Sequence, residues 1–523
     1  MEPTFRASLN WLHTWAGVVL GGVLFAIFWM GTLSVFDREI DRWMAPMTRL
    51  AAAEPAFSYE KLRPGYEAAA AAKSPSWFAT MPTEREPTVR MSWRERPDFI
   101  VRLLDPATGA ALPDPGTLAG TRFLYPFHYM LHVQLWQLGY WIVGTAAMAM
   151  LALCVSGVVI HRKIFVEFFT FRAEKQPRRL LLDLHNVTGV LGLPFYFVIS
   201  LSGLIIFYTV YFPATAQLAY DGGQRAFIRD AYGQYERPKA GQPGTLGSLD
   251  AMVAEARALW DGAPVRYLFV RNPGDAAAYV QIGRLGEDRV AGNDDVAFFD
   301  AGTGSLLHQR SGYKPLMGVQ QFISGLHLIQ FRHWILRWVY FGLGLTGCVL
   351  IATGFLFWLE SRRKKHLQLR LRGVRVVEGL TLGSVTGILI ATLAFFAANR
   401  VLPLGSSFLG QDRAALEIWT FYLVWLASFA HAWLRPRSAW IEHCWALAAL
   451  AVAAVLLNWL TTGDHLVRSL SLRHLWPIAG IDLLLLSGAS LAALTARRLQ
   501  RRAANLPKSR LGARTRASQA AAE

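Results

Sequence analysis

The sequence predicts a polytopic all-α membrane protein of about eight transmembrane helices, carrying two small α+β modules outside the bilayer. Three observations predict it. The 523 residues are 53% hydrophobic and 17% charged, too apolar for a soluble chain of several domains. Several stretches, Leu9 to Phe36 first among them, reach the roughly 20 apolar residues a spanning helix needs without one Asp, Glu, Lys or Arg. The net charge of +17 is concentrated in Arg162 to Arg179, Arg362 to Arg375 and Arg497 to Arg516, each following or separating apolar spans. That is the pattern of cytoplasmic loops under the positive-inside rule, and it assigns the basicity to a membrane face, with no nucleic acid as partner.

Taken in order, residues 1–36 form an uncleaved first helix, too long for a signal peptide and followed by Phe36-Asp37-Arg38 with no small-residue cleavage pattern. A charge-balanced module follows at 37–130, then a second helix at 131–163, a basic loop at 164–182 and a third helix at 183–211. The second module occupies 212–320, the fourth helix 321–360 and a further basic loop 361–378. Residues 379–496 form an appended bundle with spans near 379–399, 417–434, 443–462 and 475–496, before a basic tail at 497–523. Both termini are then cytoplasmic. Within the modules, Tyr59 to Ala72 and Leu249 to Trp260 have helical composition, while Val265 to Val270, Ala278 to Ile282 and Val296 to Phe299 are short β-rich runs. Cys154, Cys348 and Cys444 lie in apolar stretches, and the absence of C-x-x-C-H excludes covalent haem attachment.

The first half contains a duplication. Leu12-His13 and Leu184-His185 open the first and third spans, each followed four residues later by glycine, Gly17 and Gly189. Leu131-His132 precedes the second span and Leu326-His327 the fourth, and 327 minus 132 is 195. At the same offset Asp105-Pro106-Ala107-Thr108-Gly109 answers Asp300-Ala301-Gly302-Thr303-Gly304, a turn in which Gly109 and Gly304 are free to take positive φ.

A lone histidine near a helix end is more often interfacial than a ligand. The repeat shifts that balance, because His13 with His185 and His132 with His327 form two equivalent pairs at two depths. Two b-type haems suit such pairs, since haem iron takes an axial imidazole on each face within an apolar gap between helices. Zinc or copper is less apt, as no Cys or carboxylate cluster accompanies either pair. This gives a four-helix haem-binding core with the haem iron held through His13, His185, His132 and His327 and no catalytic side chain. Gly17, Gly21, Gly22, Gly189 and Gly192 would admit a flat macrocycle or simply pack helices. His128, four residues before His132, is an alternative ligand or a haem-edge contact, and His161 is a weaker candidate at the inner layer. His333, His431, His443, His465 and His474 read as interfacial. Asp482 reads as a proton or quinol contact, or as a carboxylate satisfied by a neighbouring helix.

These motifs, Leu12-His13-x-x-x-Gly17, Asp183-Leu184-His185-Asn186-x-x-Gly189, the paired Asp-x-x-Thr-Gly turns and Leu326-His327, resemble the PepSY-associated transmembrane family of iron-regulated bacterial membrane proteins, over roughly residues 5 to 365. The resemblance implies a bacterial inner membrane, PepSY-like modules in the periplasm, and two b haems on these four histidines. It further implies a transmembrane ferric-chelate (ferrisiderophore) reductase whose partners are a ferric siderophore or other iron chelate, a cytoplasmic or quinol electron donor, and the lipid bilayer. His161 in place of an aromatic residue, and the four added spans, depart from the family pattern. Trp93, Tyr267, Tyr279 and Phe298 are candidates for a docking surface or for a module core. The competing reading is a non-enzymatic PepSY membrane protein that binds or regulates an envelope protease or other partner. A permease reading is less apt, because the first four spans carry few midplane polar residues.

Overall fold

The computed structural model describes residues 4–51, 57–161, 177–233, 235–292, 295–369, 373–436 and 438–505. Parts of the basic blocks, at 162–176, 370–372 and 506–523, lie outside the described residues. The chain divides into two compact units, Met1–Gly354 and Phe355–Glu523. Among the described residues, eight helices are long and apolar enough to cross a membrane: Phe5–Ser34, Leu138–Ile160, Arg178–Ile206, Trp334–Arg363, Gly373–Val401, Arg413–Leu434, Ala439–Thr462 and Arg473–Ala504. These match the charge-free spans to within a turn or two.

In the first unit, α1 (Phe5–Ser34) starts at Thr4, whose side chain accepts a hydrogen bond from the Ala7 N–H and satisfies one donor of the first turn. Outside the spans, α2 (Asp37–Met44) and α3 (Arg63–Ala71) precede strands β1 (Ser76–Thr80), β2 (Val89–Glu95) and β3 (Asp98–Leu104). A short helix, α4 (Tyr125–Met130), leads into the span α5 (Leu138–Ile160). The second half repeats the plan. Span α6 (Pro177–Ile206) is followed by α7 (Leu249–Ala258), strands β4 (Val265–Arg271), β5 (Tyr279–Arg284), β6 (Val296–Asp300) and β7 (Leu306–Arg310), short helix α8 (Pro315–Leu328) and span α9 (Trp334–Gln368).

The two modules share one sheet. Strand order β3-β2-β1-β4-β5-β6-β7 is antiparallel throughout, with β1 and β4 joined in a register that sets Phe78 opposite Phe269. Neither module therefore exposes its inner edge strand, a liability each would carry alone. Trp77, Leu62 and Tyr66 of the first module pack in one core with Leu268, Met252 and Phe299 of the second. The helix starts are capped reciprocally: Glu60 accepts from the Leu249 N–H at 2.7 Å, and Asp250 accepts from the Tyr59 N–H at 2.6 Å. The paired turns form as the sequence indicates, with Gly109 at φ +77 and Gly304 at φ +75. Asp105 accepts from the Ala107 N–H and Asp300 from the Thr303 N–H. Trp93, Tyr279 and Phe298 are buried at 7%, 4% and 1% exposure, which makes them module-core residues, the second of their two readings.

The second unit contains a span built of α10 (Gly373–Leu382), a π-helical turn (Gly383–Gly387) and α11 (Ile388–Val401), followed by α12 (Arg413–Leu434), α13 (Ala439–Thr462) and α14 (Trp476–Ala504). Asp412 caps α12 by accepting from the Ala415 N–H. Asp482 is 1% exposed and receives a hydrogen bond from Asn458 of the neighbouring helix at 3.4 Å, the packing role among its two readings.

Candidate functional site

Four histidines of the first unit form two ring pairs. His13 on α1 faces His185 on α6, with ring centroids 6.3 Å apart and planes at 89°. The ring that faces His327 on α8 is that of His128 on α4, at 5.8 Å and 31°. The expected pairing of His132 with His327 is thus corrected. Helix α4 ends at Met130, and Leu131 and His132 both turn into the left-handed region, at φ +52 and +56. His132 lies beyond the helix and packs edge-on against Phe123 at 5.4 Å. His128 occupies the preceding turn, inside the helix. His161 is the C-terminal cap residue of α5 and lies within electrostatic reach of His185.

All four paired rings are tethered through Nδ1. His185 Nδ1 donates to the Leu350 carbonyl at 2.9 Å, His128 Nδ1 to the Ile27 carbonyl at 2.9 Å, and His327 Nδ1 to the Ile199 carbonyl at 2.8 Å. His13 Nδ1 bonds Ser156 Oγ at 3.0 Å, and that hydroxyl spends its own proton on the Leu153 carbonyl at 3.2 Å. A carbonyl can only accept, so each Nδ1 carries hydrogen and each neutral ring keeps its lone pair on Nε2. This is the tautomer and the carbonyl support that metal-ligating histidines adopt. Among the described residues no Nε2 of these four has a hydrogen-bond partner.

The spacing fits an ion between the rings. An imidazole nitrogen sits about 2.0–2.1 Å from a bound metal, so two rings on opposite faces of one ion have centroids roughly 6 Å apart. No group of three or more His, Cys, Asp or Glu suited to a metal ion occurs among the described residues, so neither pair is completed by a third protein ligand as zinc would require. The donor set suits haem iron, whose other four ligands come from the macrocycle.

Each ring also lies against a glycine of a neighbouring helix. A Cβ on Gly31 would stand 2.6 Å from His128 Cε1, on Gly203 3.0 Å from His327 Cε1, on Gly354 3.2 Å from His185 Cε1 and on Gly157 3.4 Å from His13 Cε1. The glycines nearer the inner histidine in sequence serve otherwise: Gly192 admits the Tyr196 ring, and Gly189 meets Leu350. A signal for the glycine floor was present in the numbering, since 31 minus 13 and 203 minus 185 are both 18. The helix that supplies one inner histidine therefore floors an outer one. That separation corresponds to a helical rise of about 27 Å, most of the apolar thickness of a bilayer.

The outer pair opens onto a cavity of about 310 Å³. Its walls are apolar along the spans, including Leu24, Phe28, Phe195 and Tyr340, and polar at Asp37, Arg38, Arg85 and Arg337. Arg85 is bound by Glu39 at 2.6 Å and Asp37 at 3.3 Å, and Arg38 pairs with Glu86.

A further histidine pair in the second unit is built differently. His431 on α12 and His443 on α13 stack at 5.1 Å, with His443 Nε2 bonded directly to His431 Nδ1 at 3.1 Å. The outward nitrogens are engaged too, His443 Nδ1 by Thr386 Oγ1 at 2.6 Å and His431 Nε2 by Glu442 at 2.7 Å. His443 Nε2 and His431 Nδ1 thus bond each other and do not face a gap between rings. The short connection through Arg435-Pro436 folds α13 back on α12 and brings these two rings together, a contact the interfacial reading did not anticipate.

Residues 10–361 match the family described as PepSY-associated TM region. The chain is also 27% identical over 367 residues to the uncharacterized protein PA4219 of Pseudomonas aeruginosa, a match covering 64% of this chain and 89% of that one.

Proposed function

The chain belongs to the PepSY-associated transmembrane family, and from that membership together with its four tethered imidazoles we propose that it is a dihaem cytochrome. In this reading one b haem lies between His13 and His185, the other lies between His128 and His327, and electrons cross the bacterial inner membrane to reduce ferric chelates. The single observation that carries it is the common build of the four histidines: Nδ1 tethered, Nε2 unbonded, rings about one metal-bridged distance apart.

Haem iron held by two imidazoles supplies a one-electron couple. The chain's own contribution is to hold each lone pair in place, through three carbonyls and one hydroxyl, and to keep water from the outer site with Phe28, Phe195 and Tyr340. The basic blocks support cytoplasmic termini, with the shared sheet in the periplasm. The outer pair then lies on the sheet's side, where a ferric siderophore or similar chelate arrives as substrate. Such chelators grip ferric iron through hard oxygen donors, and one added electron makes the more labile ferrous ion. The donor on the other side is a cytoplasmic reductant or a quinol.

The experiment is anaerobic stopped flow. Reduced protein is mixed with ferric siderophores and a ferrous trap, and haem reoxidation is followed alongside an H327A control. Reoxidation by the chelate that depends on His327 supports the reading. Reoxidation by quinones alone would make the protein a quinone-linked cytochrome instead.

A further inference from the structure

We propose that Arg337 binds a carboxylate of the ligand seated between His128 and His327, namely a propionate of the outer haem; the proposal rests on the haem reading above. Arg337 stands in the first turn of α9 and is only 2% exposed, so it does not reach water as a snorkelling interfacial arginine does. Its guanidinium donates through Nη2 to the Phe331 carbonyl at 2.8 Å, and among the described residues no carboxylate forms an ion pair with it.

Three nearby acids are committed elsewhere, Glu39 and Asp37 to Arg85 and Glu86 to Arg38. Asp37, Glu39 and Glu287 act on Arg337 only through space, opposed by Arg85. A buried cation without a paired anion is costly, and a structure keeps one where something else supplies the anion. Arg337 lines the same cavity as His128 and His327, and that cavity is where the missing charge belongs. The residue is not a relic of the duplication either: the equivalent approach to the second span, residues 133–146, contains no Lys or Arg. Haem b carries its macrocycle among apolar walls and its two carboxylates at one edge. Apolar side chains around the imidazoles with arginines at one side of the cavity match that polarity. Arg38 and Arg85 arrive already paired, which leaves Arg337 as the cation with bonding capacity to give.

The test compares wild-type, R337Q and R337K full-length protein. Haem is counted by extraction, its transfer to an excess of a haem-scavenging apoprotein is timed, and each haem's midpoint potential is followed against pH. Charge-assisted hydrogen bonds are worth enough that their loss corresponds to about a ten- to hundredfold change in binding. R337Q is therefore expected to lose its outer haem at least about tenfold faster, with the inner haem unchanged. The outer potential of R337Q should fall and gain a pH dependence, because a propionate without its cation titrates near neutrality; R337K should restore most of both.

A second measurement does not depend on the variant folding. Wild-type protein made in haem-limited cells is reconstituted with haem or with its dimethyl ester, in which both carboxylates are masked. Wild type should favour free haem at the outer site by about tenfold or more, and R337Q should not discriminate. Equal outer-site affinity of wild type for ester and acid would overturn the proposal, as would an R337Q protein with unaltered haem loss and potential. A wild-type protein that takes up neither ligand would overturn the haem reading itself, and is told apart from a failure of Arg337 by the absence of both spectra.

Discussion

Alanine at the glycine beneath each paired histidine gives a graded perturbation. In a helix interior, Gly to Ala is worth about 0.8–1.0 kcal/mol of stability, whereas forcing an extra methyl into a packed site costs about 1–3 kcal/mol. Which term wins depends on the clearance. At Gly157 the new Cβ meets His13 Cε1 at 3.4 Å, the near edge of ordinary contact, so G157A should be neutral or stabilising by up to about 1 kcal/mol. At Gly31 the distance to His128 Cε1 is 2.6 Å, so the ring must retreat by about 0.8 Å. Added to the 2.9 Å tether between His128 and the Ile27 carbonyl, that retreat exceeds hydrogen-bond range. G203A, at 3.0 Å, requires about 0.4 Å and keeps its 2.8 Å tether within range. The assay is the low-spin fraction of each haem in the purified variants, alongside thermal unfolding. The expected order of damage is Gly31, Gly203, Gly354, Gly157, with G31A converting the outer haem to high spin and costing net stability of up to about 2 kcal/mol. If G157A proves as damaging as G31A, or G31A leaves the outer spectrum intact, the histidine geometry described above is wrong.

Further outcomes follow from the same geometry. H128A and H327A should each reduce the haem count from two to one and abolish the same spectrum, whereas H132A should leave both spectra in place; loss of the outer haem in H132A but not H128A would reverse the assignment. H443A and H431A should retain two haems, because those rings bond each other directly, and a lower count by extraction would refute that reading. Burial raises the Asp41 carboxyl to about 7 from an ordinary value of 3.8, against the hydrogen bonds it accepts from Thr121. The unfolded chain ionises first, so this group's contribution is full below about pH 4 and is lost as pH rises towards 7. The unfolding free energy of wild type from denaturant titration should fall across that window by up to about 1.4 kcal/mol per pH unit, and that of D41N should lack the slope; identical slopes would exclude Asp41 as the source.

The spans were legible because a bilayer imposes one strong rule on composition, and the charge-free runs mark them to within a turn or two. The Asp105 and Asp300 turns were legible because glycine at positive φ is a local requirement. For the outer pair, the sequence motif points to His132, one helical turn beyond the His128 ring that faces His327. His132 and His128 both precede the second span, and local motif similarity to Leu326-His327 favours Leu131-His132. Only the break of α4 after Met130 shows that His132 has left the helix. The junction of the modules was hidden for a different reason: β1 and β4 pair from one repeat to the other, and neither strand carries a sign that its partner lies so far along the chain. The glycine floor is legible in the step from His13 to Gly31 that recurs from His185 to Gly203, but glycines nearer each histidine mask it.

The most direct measurement is the visible and low-temperature EPR spectrum of full-length protein purified from haem-replete cells, with haem extracted and counted per chain. The account predicts two b haems per chain, both low spin in the ferric state with bis-imidazole ligation, and split or broad α bands on reduction. A colourless protein, or a single haem that survives the loss of both His13 and His327, would contradict it.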